Sequence, residues 1–298
     1  MFKKYSKITN HYDQGFIDKV QLEVPLDTIY RKSEKLHGAN FSFLIDEDKQ
    51  ITHCSRNKPL GETESFFAHQ DLTRYHTQLL GIYSDLYNFE PTTIQIYGEY
   101  AGGNIQKGIE YGDKDFYCID IKVNGVYIDL DDVEALCYDW DIKTVPVLGC
   151  GTLVECISED NEFNSKILNV EDNVCEGIVI APIAPIYLSN GERIIIKSKN
   201  DKWVEKSKFK KRKAPTVMTL EAQETLDLIL QYLNQNRVDS VASKGPIESF
   251  GSFLKEVTLD ILDDFKVDNP DVRYGAVTKM LNKTVAEFIR PTFLDKRA

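Results

Sequence analysis

The stretch SEKLHGANFSF, residues 33 to 43, sets Lys35, His37 and Gly38 side by side just ahead of a run with strand character. Packing alone does not ask for that combination. A lysine amine is a poor nucleophile at its free pKa of about 10.4, but cationic neighbours and loss of water bring it within range of an electrophile at neutral pH. The stretch RIIIKSKN supplies such neighbours. Lys197 and Lys199 are two residues apart, so on a strand both side chains point to one face, opposite Ile196 and Ser198. Such a face would hold a triphosphate while depressing the pKa of a third lysine, which is the logic of phosphoryl or nucleotidyl transfer. Glu99 in IYGEYAGG and Glu176 in NVCEGIVI each stand beside a glycine at the end or start of a β-run. Both are candidates for a ribose hydroxyl or a divalent cation.

These side chains need a scaffold, and pattern changes along the chain show one. From about Ile29 to Lys199, short β-rich runs (NFSFLI, TTIQIYGEY, DFYCIDIKV, GVYIDL, EGIVIAP, RIIIKSK) alternate with Gly, Asn, Asp and Pro turns. Helical patterns interrupt them. In DLTRYHTQLLGIYSDLYNF, Leu72, Tyr75, Leu79, Ile82 and Leu86 recur at three- and four-residue spacings, and DLDDVEALCYDWDI reads as a helix with acidic residues in its first turn. Strands mixed with irregularly placed helices predict an α+β fold of mostly antiparallel sheets rather than a doubly wound one. After KKRKAP the strands stop. The run from Thr219 to Ser243 predicts a helix with Leu220, Leu226, Ile229, Leu230 and Leu233 along one side and Thr219 as its cap. A later helix is expected to open at Asn269 as N-cap with Pro270 in the first turn. The division expected is residues 1–205 for the first domain, 206–215 for a basic linker and 216–298 for a small all-helical domain.

Composition narrows the class. At 298 residues and 42% hydrophobic content the chain has enough apolar surface for a large core. No segment approaches the roughly 20 apolar residues of a bilayer crossing, and no apolar run follows the opening lysines, so an intracellular, cytoplasmic protein is expected. The six cysteines form no CxxC pair and are expected to be reduced. Without HExxH or a His/Cys cluster, any metal is expected to be held by carboxylates and substrate phosphates. The net charge of −11 argues against a generally basic nucleic-acid surface. Residues 197–213 are the exception, with nine basic and two acidic side chains, where a polyanion would be locally favoured.

In order along the chain, KLHG, YGEYAG, DFYCIDI, EGIVI and IIIKSK resemble the ordered motifs of the covalent nucleotidyltransferase superfamily of ligases and capping enzymes. Histidine in the first motif, where DNA ligases and capping enzymes usually show aspartate, makes the chain resemble the RNA ligase 2 family. The opening MFKKYSKITNHY, the run GNIQKGIEYGDKDFY and the late DNP and IRPTF stretches extend the likeness to a phage-type enzyme, and to an infected host cytoplasm as its setting.

The resemblance implies an ATP- and Mg2+-dependent enzyme that joins RNA 3′-hydroxyl and 5′-phosphate ends through a lysyl-N-AMP intermediate, with nicked duplex RNA as partner. By that likeness Lys35 is the nucleophile, Glu99 holds the ribose, Glu176 supports the metal, and Lys197 and Lys199 engage phosphate. Glu34 and Asn40 belong to the same pocket, Arg56 meets the nucleotide and the RNA end, and His37 lies near the phosphates with a catalytic role. Ile119 departs from the pattern, which commonly places an aromatic there to stack on adenine. Phe66 and Phe67 resemble an aromatic pair that touches RNA. The alternatives are a DNA ligase or capping enzyme, a non-catalytic RNA-binding relic, and a lysine Schiff-base enzyme that would leave Lys197 and Lys199 unexplained. A monomer is expected, since no heptad seam or symmetric patch is evident.

Overall fold

The structure is a computed structural model that describes residues 2–158, 160–168, 170–200, 203, 218–243, 247 and 249–295, without the side chains of Tyr87 and Asn88. The chain separates into two compact units, Met1–Pro215 and Thr216–Ala298. The basic segment expected as a linker, 206–215, lies outside the described residues.

Two five-stranded sheets build the first unit. One holds β1 (Thr9–Asn10), β2 (Tyr30–Glu34), β8 (Val147–Gly151), β9 (Gly177–Pro182) and β10 (Ile196–Lys199), in the order β1-β10-β9-β2-β8. Only its β1–β10 pair is parallel. The other holds β3 (Ala39–Asp46), β4 (Ile51–Ser55), β5 (Thr93–Ala101), β6 (Asp115–Val123) and β7 (Val126–Tyr127), in the antiparallel order β4-β3-β5-β6-β7.

Alternation decides which face of each strand is covered. Phe41, Phe43 and Ile45 of β3, with Ile94 and Ile96 of β5, meet Leu79 and Ile82 of helix α2 (His76–Asp85) and Val133 of helix α3 (Leu130–Asp139) in one core. Ile178 and Ile180 of β9, with Ile196 of β10, meet Ile17 and Val20 of helix α1 (Gln14–Glu23) and Leu153 of helix α4 (Leu153–Ser158) in a second. Between the sheets runs a narrow seam of Tyr5, Tyr97, Tyr127, Leu130, Ala181 and Ile195. Three of the five histidines are absorbed by the first core: His53 is hydrogen-bonded to both His69 and His76 at 2.9 Å, and burial with its two neighbours lowers its pKa to about 4.

Strand β6 carries one irregularity. Register shifts between Tyr97 and Gly98, which pair with Asp120 and Cys118, so Ile119 is the extra residue of a β-bulge. The bulge inverts the alternation. Phe116 and Cys118 before it and Ile121 and Val123 after it all face the same core, while Ile119 and Asp120 turn toward the seam.

The second unit is helical. Helices α5 (Leu220–Leu230), α6 (Gln235–Ser243), α7 (Phe250–Asp268) and α8 (Thr278–Asp295) enclose Leu226, Ile229, Val238, Phe253, Ile261 and Phe265, among others. Two expectations need correction. The single helix from Thr219 to Ser243 is two, because the backbone turns after Leu230 and the Asn234 side chain accepts from the Arg237 amide to start a new helix. Thr219 does cap the first, accepting from the Ala222 amide, but Leu220 is 60% exposed and outside the apolar stripe. Asn269 closes α7 rather than opening a helix: its backbone and side-chain N–H groups both donate to the Phe265 carbonyl, and Pro270 follows where a helix has just ended.

Candidate active site

Strand β2 ends at Glu34, and Lys35 to Gly38 form the connection that carries the chain from one sheet to the other. The Lys35 amide donates to the Gly177 carbonyl at 2.9 Å, which pins the residue beside the start of β9. Gly38 is required by close approach: a Cβ there would lie 2.4 Å from the Tyr100 carbonyl oxygen. Gly177 has φ of +143°, and a Cβ on it would lie 2.0 Å from the Ser198 carbonyl oxygen. The glycines beside Lys35 and Glu176 thus let three backbone segments come close enough for their neighbours to meet.

What meets is Glu176. Its Oε2 accepts from Lys35 Nζ at 2.6 Å, its Oε1 from Lys199 Nζ at 2.9 Å, and His37 Nδ1 stands 3.6 Å from Oε2. Burial alone would raise its pKa, but His37, Lys35 and Lys199 outweigh that and draw it down to about 2. A carboxyl depressed in this way contributes stability above its ordinary value of 4.5 that disappears as pH falls toward 2. The loss of urea resistance between about pH 5 and about pH 3 should therefore be smaller in Glu176→Gln than in the wild type. Equal pH slopes in the two proteins would mean that the pairing contributes nothing.

Lys197 and Lys199 share a half-buried face of β10 while Ile196 and Ser198 are buried on the other. Burial, then the charges of Lys35 and Lys199, lower the pKa of Lys197, and the exposed Arg56 on the loop after β4 acts in the same direction. Four cations from three parts of the chain thus share one electropositive neighbourhood. Glu99 lies across from Asn40 in the β3–β5 ladder, and its Oε1 accepts from the Gly38 amide at 3.0 Å. Burial raises its pKa to about 7, against the opposing pull of Lys35 and the Gly38 amide. Asn40 Nδ2 reaches the Gly98 carbonyl at 3.5 Å, so it holds β3 to β5 beneath the site.

Beside Lys35 opens a cavity lined by Glu34, Lys35, Glu99, Ile119, Val145 and Val179 among others. Glu34 is 1% exposed; its Oε2 accepts from the Lys166 amide at 2.7 Å, while its buried Oε1 makes no hydrogen bond among the described residues. A buried acceptor in a cavity wall is costly unless a ligand donor meets it. Ile119 and Val179 come from different sheets and give the cavity branched apolar walls. Among the described residues there is no cluster of three His, Cys, Asp or Glu side chains able to hold a metal ion.

The structure thus brings Glu34, His37, Glu99, Ile119, Glu176 and Lys199 to Lys35 or its cavity, with Lys197 beside Lys199, while Asn40 reaches the Gly98 carbonyl, Arg56 bears on Lys197 by its charge, and the aromatic pair lies elsewhere. Phe66 packs against the first core and Phe67 is 39% exposed beside it. Three contributors were missed. Val179 could have been found, since it follows Glu176 by three residues on a strand whose other face is Ile178 and Ile180. Tyr111, whose hydroxyl accepts from the His37 amide at 2.9 Å, and Trp203, whose ring centroid lies 4.8 Å from that of His37, come from loops with no pattern to announce them.

Comparison with known proteins then places the chain. A sequence family described as RNA ligase matches residues 30–199, and one described as T4 RNA ligase 2 C-terminal matches residues 216–290. The chain belongs to the RNA ligase 2 family. Among solved structures, a mutant RNA ligase of Naegleria gruberi with ATP and Mn is similar at 20% identity and a TM-score of 0.52, over 68% of this chain and 57% of that one. Another mutant of the same protein, with AMP and Mn, is similar at 19% identity and 0.52, over 68% and 58%. These likenesses bear on the fold, and this RNA ligase 2 family member spans less than two thirds of the chains it matches. The two mostly antiparallel sheets and the helical region after them agree with the α+β expectation.

Proposed function

We propose that this RNA ligase 2 family member is an ATP-dependent RNA ligase that seals 3′-hydroxyl and 5′-phosphate ends, with nicks in duplex RNA as its substrate. The observation that carries the reading is the placement of Lys35 Nζ against Glu176, with Lys199 on the same carboxylate, at the mouth of a cavity with two branched apolar walls. Lys35 Nζ, once deprotonated, attacks the α-phosphorus of ATP. A nitrogen–phosphorus bond forms, the bond to the β-phosphate oxygen breaks, and pyrophosphate leaves. The AMP then passes to an RNA 5′-phosphate, and a 3′-hydroxyl displaces it to form the phosphodiester.

Each side chain has a part in this scheme. The base lies between Ile119 and Val179 with Glu34 at its edge, and Glu99 accepts from the ribose. Lys197, Lys199 and Arg56 neutralise the phosphates, and His37 lies beside them. Glu176 holds Lys35 in place until the nucleotide arrives. Glu176 is also the carboxylate that would hold a divalent cation, magnesium in this reading. A single buried carboxylate next to a phosphate site fits an ion that keeps several waters and takes its other ligands from the nucleotide. Such an ion would supply charge neutralisation at the phosphates.

Residues 1–205 act as the adenylyltransferase, 206–215 as a basic linker across phosphates, and 216–298 as a grip on the RNA. A monomer in an infected host cytoplasm is the setting that goes with this reading. No helix among the described residues is long and apolar enough to cross a membrane.

The test is joining of a nicked RNA duplex bearing a 5′-phosphate, beside the same duplex with a 5′-hydroxyl. Joined product and a transient AMP-capped strand are expected only from the first. Raising salt should weaken joining far more than lysine adenylylation, because only RNA binding releases condensed counterions, at roughly 0.9 log units per phosphate contact per log unit of salt. Equal salt slopes for the two steps would remove the basic segment from the RNA interface.

A further inference from the structure

The cavity beside Lys35 does not end at Ile119. A second chamber, open to solvent beside Glu134 and Val147, adjoins it, and the two have Tyr5, Ser33, Ile119, Val145 and Val179 in common. Four of those five are small or β-branched, and Tyr5 is the one aromatic ring among them. Ile119 faces this partition by ordinary alternation after core-facing Cys118, and the β6 bulge then returns Ile121 to the core. A branched aliphatic side chain there screens only part of the area that a ring would cover.

The second chamber is mostly apolar, with Leu130 and Val133 of α3, Val147 of β8 and Thr144 in its walls. Arg31 and Glu134 stand in it as an ion pair at 3.1 Å, and Arg31 also donates to the Leu130 carbonyl at 2.9 Å. That leaves Arg31 Nε buried without a hydrogen bond among the described residues. An apolar recess with few polar groups is poorly hydrated and receives apolar groups readily.

We propose that this enzyme accepts adenosine triphosphates bearing a bulky apolar substituent on the base, with the substituent seated in the second chamber. The inference rests on the reading of the first cavity as the nucleotide site. Its chemistry is the adenylylation already described: Lys35 Nζ bonds to the α-phosphorus of the analogue, the α–β phosphoanhydride bond breaks, pyrophosphate leaves and the amine proton goes to solvent. Ser33, Ile119 and Val145 are then specificity-determining, since the size of these three side chains decides whether the chambers communicate.

The test offers the full-length protein ATP, N6-benzyl-ATP, 2-phenyl-ATP or 8-phenyl-ATP with magnesium and reads the intact mass of the charged protein. The three analogues send their substituent in different directions from the ring, so the orientation of the base need not be assumed. At least one is expected to charge Lys35 at a rate within about tenfold of ATP. Thr144→Phe, at a position that borders only the second chamber, should charge with ATP as the wild type does and lose the analogue; Val147→Trp serves the same purpose if the first variant does not fold. Charging by ATP with none of the analogues overturns the proposal, as does undiminished analogue charging in both variants. Failure of ATP itself to charge the protein overturns the nucleotide reading beneath it, which is a separate result.

Discussion

Lys35→Ala should take up no label from α-labelled ATP and magnesium under conditions where the wild type becomes covalently labelled and releases AMP in acid. The expected loss is about 10⁴-fold or more, the scale seen when a covalent nucleophile is removed. Acid lability matters because it separates a phosphoramidate from a phosphate ester on a hydroxyl. The variant is expected to fold. Glu176 keeps Lys199 at 2.9 Å and His37 nearby when Lys35 is truncated, so the carboxylate is not left buried and alone. Denaturing electrophoresis of both proteins, with their urea unfolding curves beside it, makes the measurement. Label on Lys35→Ala would place the nucleophile elsewhere and undo the assignment of this site.

Asp120→Ala should destabilise the first unit by about 3–5 kcal/mol, because it leaves Arg193 charged and buried without its partner. The two side chains are 1% and 2% exposed, joined at 2.7 Å and 3.3 Å, with Tyr5 donating to the same carboxylate at 2.9 Å. The guanidinium also lies 3.6 Å from the centre of the Tyr127 ring. The pair spans the seam between the sheets, next to the bulge that carries Ile119. Both tryptophans, Trp140 and Trp203, belong to the first unit, so urea unfolding followed by tryptophan emission reports on that unit. Replacing both partners, as Asp120→Leu with Arg193→Met, should recover much of the loss, since an apolar pair of similar volume avoids the cost of burying charge. A single-variant loss below about 1 kcal/mol would mean that water reaches Arg193 once Asp120 is gone.

Period-two alternation identified NFSFLI as a strand with one buried face, and the structure places Phe41, Phe43 and Ile45 in the core from it. It also put Lys197 and Lys199 on one face of β10, because a strand's side-chain direction depends on nothing beyond the backbone. The spacing from Leu72 to Leu86 marked five residues that are all buried, although only Leu79 and Ile82 lie on α2; Leu72 and Tyr75 precede it on a 3-10 helix and Leu86 follows it on another. Local patterns failed where a boundary depends on distant partners. Asn269 followed by Pro270 is compatible with either end of a helix, and the Phe265 carbonyl, four residues back, decided the matter.

The residue types of the candidate site were legible because Lys35, His37, Glu99, Glu176, Lys197 and Lys199 sit in short motifs whose chemistry is carried by identity and spacing. Their arrangement was not. That Glu176 is the shared counterion of Lys35 and Lys199, rather than a rim charge, comes from β9 lying between β2 and β10, a pairing set by packing across long stretches of chain. Alternation put Ile119 on the face opposite Phe116 and Cys118, but that it borders two chambers comes from its meeting Ser33, Val145 and Val179, which belong to other parts of the chain. By itself the sequence determined the fold class and the family and named the candidate side chains, since these depend on local pattern and ordered motifs. Tertiary structure alone decided charge pairing and the shape and reach of the cavity beside Lys35, since these are properties of surfaces that meet only after the sheets have paired and packed.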